Sequence, residues 1–266
     1  FEDICRLRAA RRYWAKLMKE KYGAKDPRSL QFRFSTGGMG GGLTAEQPLN
    51  NIARATIYAM AAVFSGTRSL NLACFDEVYA IPSDLAIRTS LRVQQILAYE
   101  TGVADVVDPL GGSYYVEALT DEMEAKIGET IAKIASDGGM VKLIESGSIQ
   151  RELARQSYAL QTRISSGEKV LVGVNKFRVK EEERDLEVYK TDPETINRQL
   201  GRLKAVKAAR DSAKVAAALA GLEAAAVRGE NIIPYLFEPL SEKATVGEIV
   251  DTLKKVYGTF KEPTTI

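Results

Sequence analysis

Histidine is absent from this 266-residue chain, and cysteine occurs only twice, as Cys5 and Cys74. Because histidine is the most common general base near neutral pH and the most common metal ligand, this chain can supply neither an imidazole base nor an imidazole ligand. Two cysteines far apart in sequence form no disulfide framework and do not match the ligand spacing of structural zinc sites. We therefore expect no metal bound by this chain's own residues and a reducing, cytoplasmic location.

An excess of one charge and long hydrophobic runs are also missing. The chain has 37 basic and 35 acidic residues, which gives no indication of nucleic-acid binding. It contains no run of about 18 apolar residues, so we expect no membrane span. The first residue, Phe1, already lies in a predicted helix over 1–23, and we expect the chain to be part of a longer protein.

Glycine, in contrast, is concentrated in one place. Residues 37–42 read GGMGGG, and we call them the glycine stretch. They match neither the GxGxxG nor the GxxxxGK[ST] phosphate-binding pattern. Two interpretations stay open: a flexible turn, or a backbone stripped of side chains so that a large ligand can approach it.

The first half of the chain alternates between strand-like and helical patterns. Strands are predicted at 29–35, 69–75 and 104–107, and the helices that follow them at 47–66, 83–100 and 119–134. This alternation indicates an α/β fold with parallel strands and crossover helices. In such folds the loops that follow the strands carry function.

The second half is predicted to be mostly helical. Helical patterns continue to residue 163. The later segments are an isolated strand at 169–179, a charged connector at 181–185, two alanine-rich helices at 193–229 that are expected to form a hairpin, and a closing helix that ends at Gly258. Thr245 and Glu248 match a capping box at the start of this last helix. We predict two domains, 1–165 and 166–266.

Charged residues lie after one predicted strand and within another. Asp76 and Glu77 are adjacent, so on an extended chain they point to opposite sides and do not converge as an acid/base pair. One is expected to be a structural partner or helix cap and the other to face the loop rim. Arg33 alternates with Phe32 and Phe34, and on a barrel strand it would point inward, where a buried arginine needs an anionic partner.

Long segments of the chain resemble the large, catalytic subunit of the methylmalonyl-CoA mutase family, the adenosylcobalamin-dependent acyl-CoA mutases. The resemblance is carried by LTAEQPLNNIARATIYAMAAVFSGTRSL (43–70), FDEVYAIPSDLAIRTSLRVQQILAYETG (75–102), DPLGGSYYVEALT (108–120), GGMVKLIESG (138–147) and VLVGVNKF (170–177). It runs essentially end to end.

The resemblance implies the C-terminal portion of a TIM (β/α)8 barrel, about three strand–helix units, followed by a mostly helical extension. It implies an acyl-CoA substrate, adenosylcobalamin as the cofactor, and a radical rearrangement of the carbon skeleton. The upstream half of the barrel and a cobalamin-binding small subunit or domain are the implied partners. The cobalt ligand and the catalytic residues are expected on sequence outside this chain.

The resemblance also implies candidate site residues. Those expected near the cofactor are Gly37, Asn71, Ala73, Glu77, Gly111 and Gly112, and those expected near the substrate are Arg33, Ser35 and Arg68. Without the resemblance, the position of Arg68 just before the second predicted strand indicates a solvated side chain rather than a functional one.

Several of these residues depart from the family pattern. Ser35 and Gly37 replace a histidine and a glutamine, and Ala73 replaces the asparagine that holds the adenosyl ribose, whereas Glu77 and Arg33 are retained. The loss of polar side chains has two explanations: a mutase for a bulkier or less polar acyl-CoA, or a degenerate subunit that keeps the fold without the activity. A helical scaffold protein built around 193–229 is a third alternative.

Overall fold

The computed structural model describes residues 1–37, 39–179 and 189–263, without the side chains of residues 39 and 40. Backbone contacts divide these residues into two compact units that meet in sequence between Tyr189 and Lys190. The predicted domain boundary lies earlier, between residues 165 and 166. The predicted charged connector at 181–185 lies outside the described residues.

The first unit contains a small parallel sheet among helices. Its elements are α1 (Glu2–Glu20), β1 (Ser35–Gly37), α2 (Asn50–Phe64), β2 (Ser69–Asn71), α3 (Asp84–Tyr99), α4 (Tyr114–Ser136), α5 (Met140–Glu145) and α6 (Ser148–Ser165). Serine side chains cap two of these helices: Ser83 accepts the Ala86 N–H at α3, and Ser113 accepts the Val116 N–H at α4. The Ser113 cap starts α4 earlier than the predicted helix over 119–134.

The strands β1 and β2 pair in parallel, with Ser35 opposite Ser69 and Gly37 opposite Asn71. This confirms a β–α–β unit, but both strands are shorter than predicted. Most of 29–35 is not a strand, because residues 27–30 form a single 3-10 turn and pairing with β2 begins only at Ser35.

Two other predicted strands are wrong. Residues 104–107 form turns and bends, and Val107 is almost fully exposed. Residues 169–179 form only one isolated bridge, between Val172 and Lys176, around a turn at Gly173. A short strand is stable only with a hydrogen-bonding neighbour, and in the described residues β1 and β2 pair only with each other.

Two sets of contacts hold the first unit together. A buried apolar cluster joins α2, α3 and the residue after β2; its members are Ala55, Ala59, Leu72, Val93 and Leu97. Helices α1 and α4 pack along their length and are linked by ion pairs. Glu124 of α4, only 13% exposed, accepts hydrogen bonds from Lys16 at 2.5 Å and from Arg12 at 2.9 Å.

The second unit is helical, as predicted. It contains α7 (Pro193–Ala209), α8 (Ser212–Val227), α9 (Ile233–Ser241) and α10 (Val246–Tyr257). Its core is formed by α8 with α9 and α10. The structure confirms two helices within 193–229, but α7 has no buried residue and does not pack with α8 as a hairpin. The capping box of Thr245 and Glu248 is confirmed.

Candidate functional site

Four of the predicted cofactor residues lie at or after the carboxyl ends of β1 and β2. Gly37 lies directly opposite Asn71, and a Cβ atom at Gly37 would be 3.4 Å from the Asn71 Cβ. Ala73 follows β2 and is buried, whereas Glu77 lies four residues further on and is exposed. Of these four residues, Glu77 carries the charged side chain, and that residue is exposed.

The two adjacent carboxylates have different roles, as the sequence predicts. Asp76 is buried, and its Oδ2 accepts the Ser83 N–H at 2.9 Å, which anchors the start of α3. Glu77 lies at the surface, and its Oε2 accepts the Cys74 N–H at 3.0 Å. Asp76 is thus structural, and Glu77 is the carboxylate that a ligand can reach.

Cys74, which precedes these two carboxylates in sequence, is buried and carries a free thiol, as does Cys5. Burial raises the pKa of the Cys74 thiol, and the neighbouring carboxylates Asp76 and Glu77 raise it further, although a hydrogen bond with Ser90 lowers it. The group therefore stays a neutral thiol at physiological pH.

Asn51 is a residue of this region that the sequence patterns do not reveal. It lies on α2 with no exposed surface. Its side-chain amide bonds the backbone of Thr44, which follows the glycine stretch, and the carbonyl of Phe75, which follows β2. A buried polar residue on an apolar helix face is the signal that would have drawn attention to it.

The predicted substrate residues lie at the other end of the strands. Arg33 and Arg68 are both exposed and line one groove of about 790 Å³, and the Ser35 hydroxyl lies 2.5 Å from that of Ser69. The prediction of a buried Arg33 is wrong. Its guanidinium donates to Gln31 Oε1 at 3.1 Å.

The reason lies in the aromatic neighbours of Arg33. Phe32 stacks on Phe34, with ring centroids 5.5 Å apart, and Phe32 also contacts Trp14 of α1. These contacts place both phenylalanines on the half-buried side of the segment and Arg33 on the exposed side. Arg68 is exposed, as its position predicts.

Gly111 and Gly112 form a turn attached to α1. The Gly111 N–H donates to the Asp108 carbonyl at 2.9 Å, and the Gly112 N–H donates to Glu117 at 3.1 Å. Arg8 pairs with Asp108 at 2.5 Å and with Glu117 at 3.0 Å. No hydrogen bond among the described residues links this turn to the carboxyl ends of the strands.

The glycine stretch borders a cavity of about 440 Å³. Gly37, Gly41 and Gly42 line it together with Tyr58 of α2 and Leu7 of α1. A Cβ at Gly41 would meet no atom within 4 Å, whereas one at Gly42 would lie 2.8 Å from the Tyr58 ring carbon Cζ. One part of the stretch therefore leaves open space, and another accommodates a tyrosine.

Two further observations bear on cofactors and membranes. Within the described ranges, no group of three or more histidine, cysteine, aspartate or glutamate residues is arranged to hold a metal ion. No helix in the same part of the chain is long and apolar enough to cross a membrane.

The β1–α2–β2 unit defines an α/β protein whose small and polar candidate residues lie at the carboxyl ends of parallel strands, where such folds bind ligands. Comparison with known families shows which α/β protein family this is. The family model described as methylmalonyl-CoA mutase matches residues 1–259, and the chain belongs to this family. The predicted family resemblance is confirmed.

Individual relatives have related names. Over 98% of its length, the chain is 44% identical to the 2-hydroxyisobutanoyl-CoA mutase large subunit of Aquincola tertiaricarbonis, of which it covers 47%. It is 38% identical to human mitochondrial methylmalonyl-CoA mutase, over 98% of the chain and 35% of that protein. It is 37% identical to methylmalonyl-CoA mutase of Escherichia coli K12, over 99% of the chain and 37% of that protein. The chain thus spans about half, or about a third, of the length of these relatives.

Proposed function

We propose that the protein containing this chain is an adenosylcobalamin-dependent acyl-CoA mutase, an isomerase that rearranges the carbon skeleton of an acyl-CoA thioester. The observation that carries this proposal is the similarity of nearly the whole chain to mutases that act on acyl-CoA thioesters. Since the chain covers only part of those relatives, the activity is proposed for the complete protein.

The unpaired edges of the small sheet support a barrel that this chain forms together with the upstream half of the protein. Two parallel strands leave outer edges that are unpaired in the described part of the chain, and such edges are normally covered by further strands. We propose that this chain forms the C-terminal portion of a TIM barrel, which the upstream half of the protein completes. A cobalamin-binding small subunit or domain would supply the cobalt ligand, because this chain contains no histidine.

The residues at the carboxyl ends of the strands fit an adenosyl group. The exposed Glu77 carboxylate engages the Cys74 N–H through only one oxygen, Oε2, and can accept a hydrogen bond from a ribose hydroxyl. Gly37 and Ala73 have no long side chain to occupy the neighbouring space. When bound, adenosylcobalamin supplies the radical that removes a substrate hydrogen atom.

This chain's own residues would then hold and orient the reactants. Asn71 and Glu77 would contact the adenosyl group. The Gly111–Gly112 turn, held by Asp108 and Glu117, lies beside the groove of Arg33 and Arg68 rather than at this end of the strands. Arg33 and Arg68 would hold negatively charged groups of the acyl-CoA in their shared groove. Ser35 would face the substrate between these two regions.

The acyl group is proposed to be bulkier or less polar than methylmalonyl. Ser35 and Gly37 are small, and the open space beside Gly41 allows a larger group to approach. Replacing these residues with the family's larger ones, in the double variant Ser35→His, Gly37→Gln, should reduce turnover of bulky substrates. An unchanged substrate profile would show that these positions do not line the acyl pocket.

Reconstitution tests the function. The complete protein, with its cobalamin-binding partner, would be mixed with a panel of linear, branched and hydroxylated acyl-CoAs, and isomers would be separated chromatographically. Isomerisation that requires adenosylcobalamin is the expected result. Tight binding of cofactor and thioesters without any isomerisation would instead favour the degenerate, non-catalytic subunit.

A further inference from the structure

We propose that Asn51 is a positioning residue that holds together the two loops on which the adenosyl-contacting residues lie; this inference rests on the proposed function. One loop follows β1 and contains the glycine stretch. The other follows β2 and carries Ala73 and Glu77. Asn51 belongs to neither loop, since it lies in the first turn of α2.

The hydrogen bonds of Asn51 use its whole capacity. Its Nδ2 donates to the Thr44 carbonyl at 2.8 Å and to the Phe75 carbonyl at 3.0 Å. Its Oδ1 accepts from the Thr44 N–H at 3.1 Å and from Arg54 Nη1 at 2.7 Å. An asparagine amide has two donors and two acceptor sites, so all four are occupied.

These partners also fix the orientation of the amide. The two carbonyl groups require donors and the N–H and guanidinium groups require an acceptor, so a flipped amide would lose all four bonds. Because Asn51 has no exposed surface, water cannot replace a lost partner without moving a loop.

The bond to Phe75 is the one that matters for the cofactor. Phe75 lies between Ala73 and Glu77 in sequence, and Glu77 folds back to accept the Cys74 N–H. The Phe75 carbonyl therefore belongs to the same short turn as the carboxylate proposed to bind the ribose. Loss of this bond removes one link between that turn and the loop after β1. The Tyr79 hydroxyl, which donates to the Ala45 carbonyl, is a second link between the two loops.

Asn51→Asp tests the inference with little change in shape. A carboxylate at this position would face the Thr44 and Phe75 carbonyl oxygens without a donor for either, and both loops should shift. Asn50→Asp is the matched control, because it adds the same charge one residue earlier. Asn50 is exposed and bonds only Gln47 through its side chain among the described contacts.

The readout is the choice between two cobalamins. Dissociation constants of adenosylcobalamin and methylcobalamin would be measured for the complete protein with its cobalamin-binding domain or partner. Both ligands carry the corrin ring, but only one carries the adenosyl group. The preference is the ratio of the two dissociation constants. We expect Asn51→Asp to reduce it by about tenfold, the effect of losing one hydrogen bond between Glu77 and the adenosyl group. Asn50→Asp should leave the ratio unchanged.

Each alternative result has a distinct meaning. An unchanged preference, whether both affinities fall equally or neither falls, would overturn the positioning role while leaving the proposed function intact. A wild-type protein that binds neither cobalamin would overturn the proposed function and this inference together. If Asn51→Asp does not fold, Asn51→Ser removes the same bond to Phe75 without adding charge, and the same two outcomes decide.

Discussion

Gly42→Ala should destabilise the first unit, whereas Gly41→Ala should not. A Cβ at Gly42 would lie 2.8 Å from Tyr58 Cζ and 3.2 Å from Cε2, closer than carbon atoms pack. Forcing a group into such a contact typically costs about 1–3 kcal/mol. At Gly41 the added methyl meets no atom within 4 Å, and the reduced freedom of the unfolded chain can contribute about 0.4–1 kcal/mol of stability.

The two variants form a matched pair, since neither glycine has a positive φ that would strain an alanine. Chemical denaturation of the complete protein, followed by circular dichroism, would give the two midpoints. Adding Gly42→Ala to a Tyr58→Ala background should cost nothing further, because the atoms that clash are gone. Equal midpoints for the two single variants would refute the reasoning and show that Tyr58 moves aside without cost.

Three other perturbations follow from the contacts of single carboxylates. Glu77→Ala should weaken adenosylcobalamin binding by about tenfold, the loss expected for a hydrogen bond to a charged group, and should leave methylcobalamin affinity unchanged; equal losses would remove Glu77 from the adenosyl site. The Arg210 guanidinium, and to a smaller extent the Thr245 N–H, holds the pKa of Glu248 well below its usual range. The ionised Glu248 therefore stabilises the folded protein fully above the ordinary glutamate pKa, and this contribution is lost as the pH falls through the lowered pKa. Glu248→Gln should therefore flatten the loss of stability in acid denaturation curves, and an unchanged acid limb would contradict this. Glu124→Gln should lower the free energy of unfolding by about 1–3 kcal/mol, because the carboxylate is largely buried between two α1 cations; the exposed Glu122→Gln is the control, with a change below about 0.5 kcal/mol.

Helices were well predicted because their signals are local. Thr245 and Glu248 form the predicted capping box, and the helix after it ends at Gly258 as the sequence indicates. The Asp76–Glu77 pair also followed from local geometry, since adjacent side chains on an extended chain point apart. Such features need no information about distant parts of the chain.

The strands were predicted less well because a strand depends on its neighbour. The apolar run at 104–107 has the composition of a strand but no pairing partner among the described residues. The segment 169–179 instead docks as a turn beside α2. Arg54 of α2 donates to the Val172 carbonyl at 2.8 Å, and Gln47, which precedes α2, donates to the Phe177 carbonyl at 3.0 Å. No periodic pattern encodes contacts of this kind.

In the candidate site too, some features could be predicted from the sequence and others depend on distant contacts. Gly37, Asn71 and Glu77 were identified through the family resemblance, and strand register then placed Gly37 opposite Asn71. Asn51 was missed because its importance lies in which backbone groups it meets, and those lie seven and 24 residues away in sequence. The exposure of Arg33 was missed because Phe32 packs on Trp14 of α1 and Phe34 stacks on Phe32, contacts that the sequence pattern does not encode.

Following a labelled carbon shows whether the protein rearranges the carbon skeleton of an acyl-CoA, as proposed. An acyl-CoA carrying ¹³C in the thioester carbonyl and in the carbon bonded to it, the bond that the rearrangement breaks, would be incubated with the complete protein, its cobalamin-binding partner and adenosylcobalamin, and observed by NMR. The one-bond coupling between the two labels should disappear as the carbonyl carbon migrates, and only when the cofactor is present. Persistent coupling for every thioester, in a protein that binds both cofactor and substrate, would contradict the proposed rearrangement.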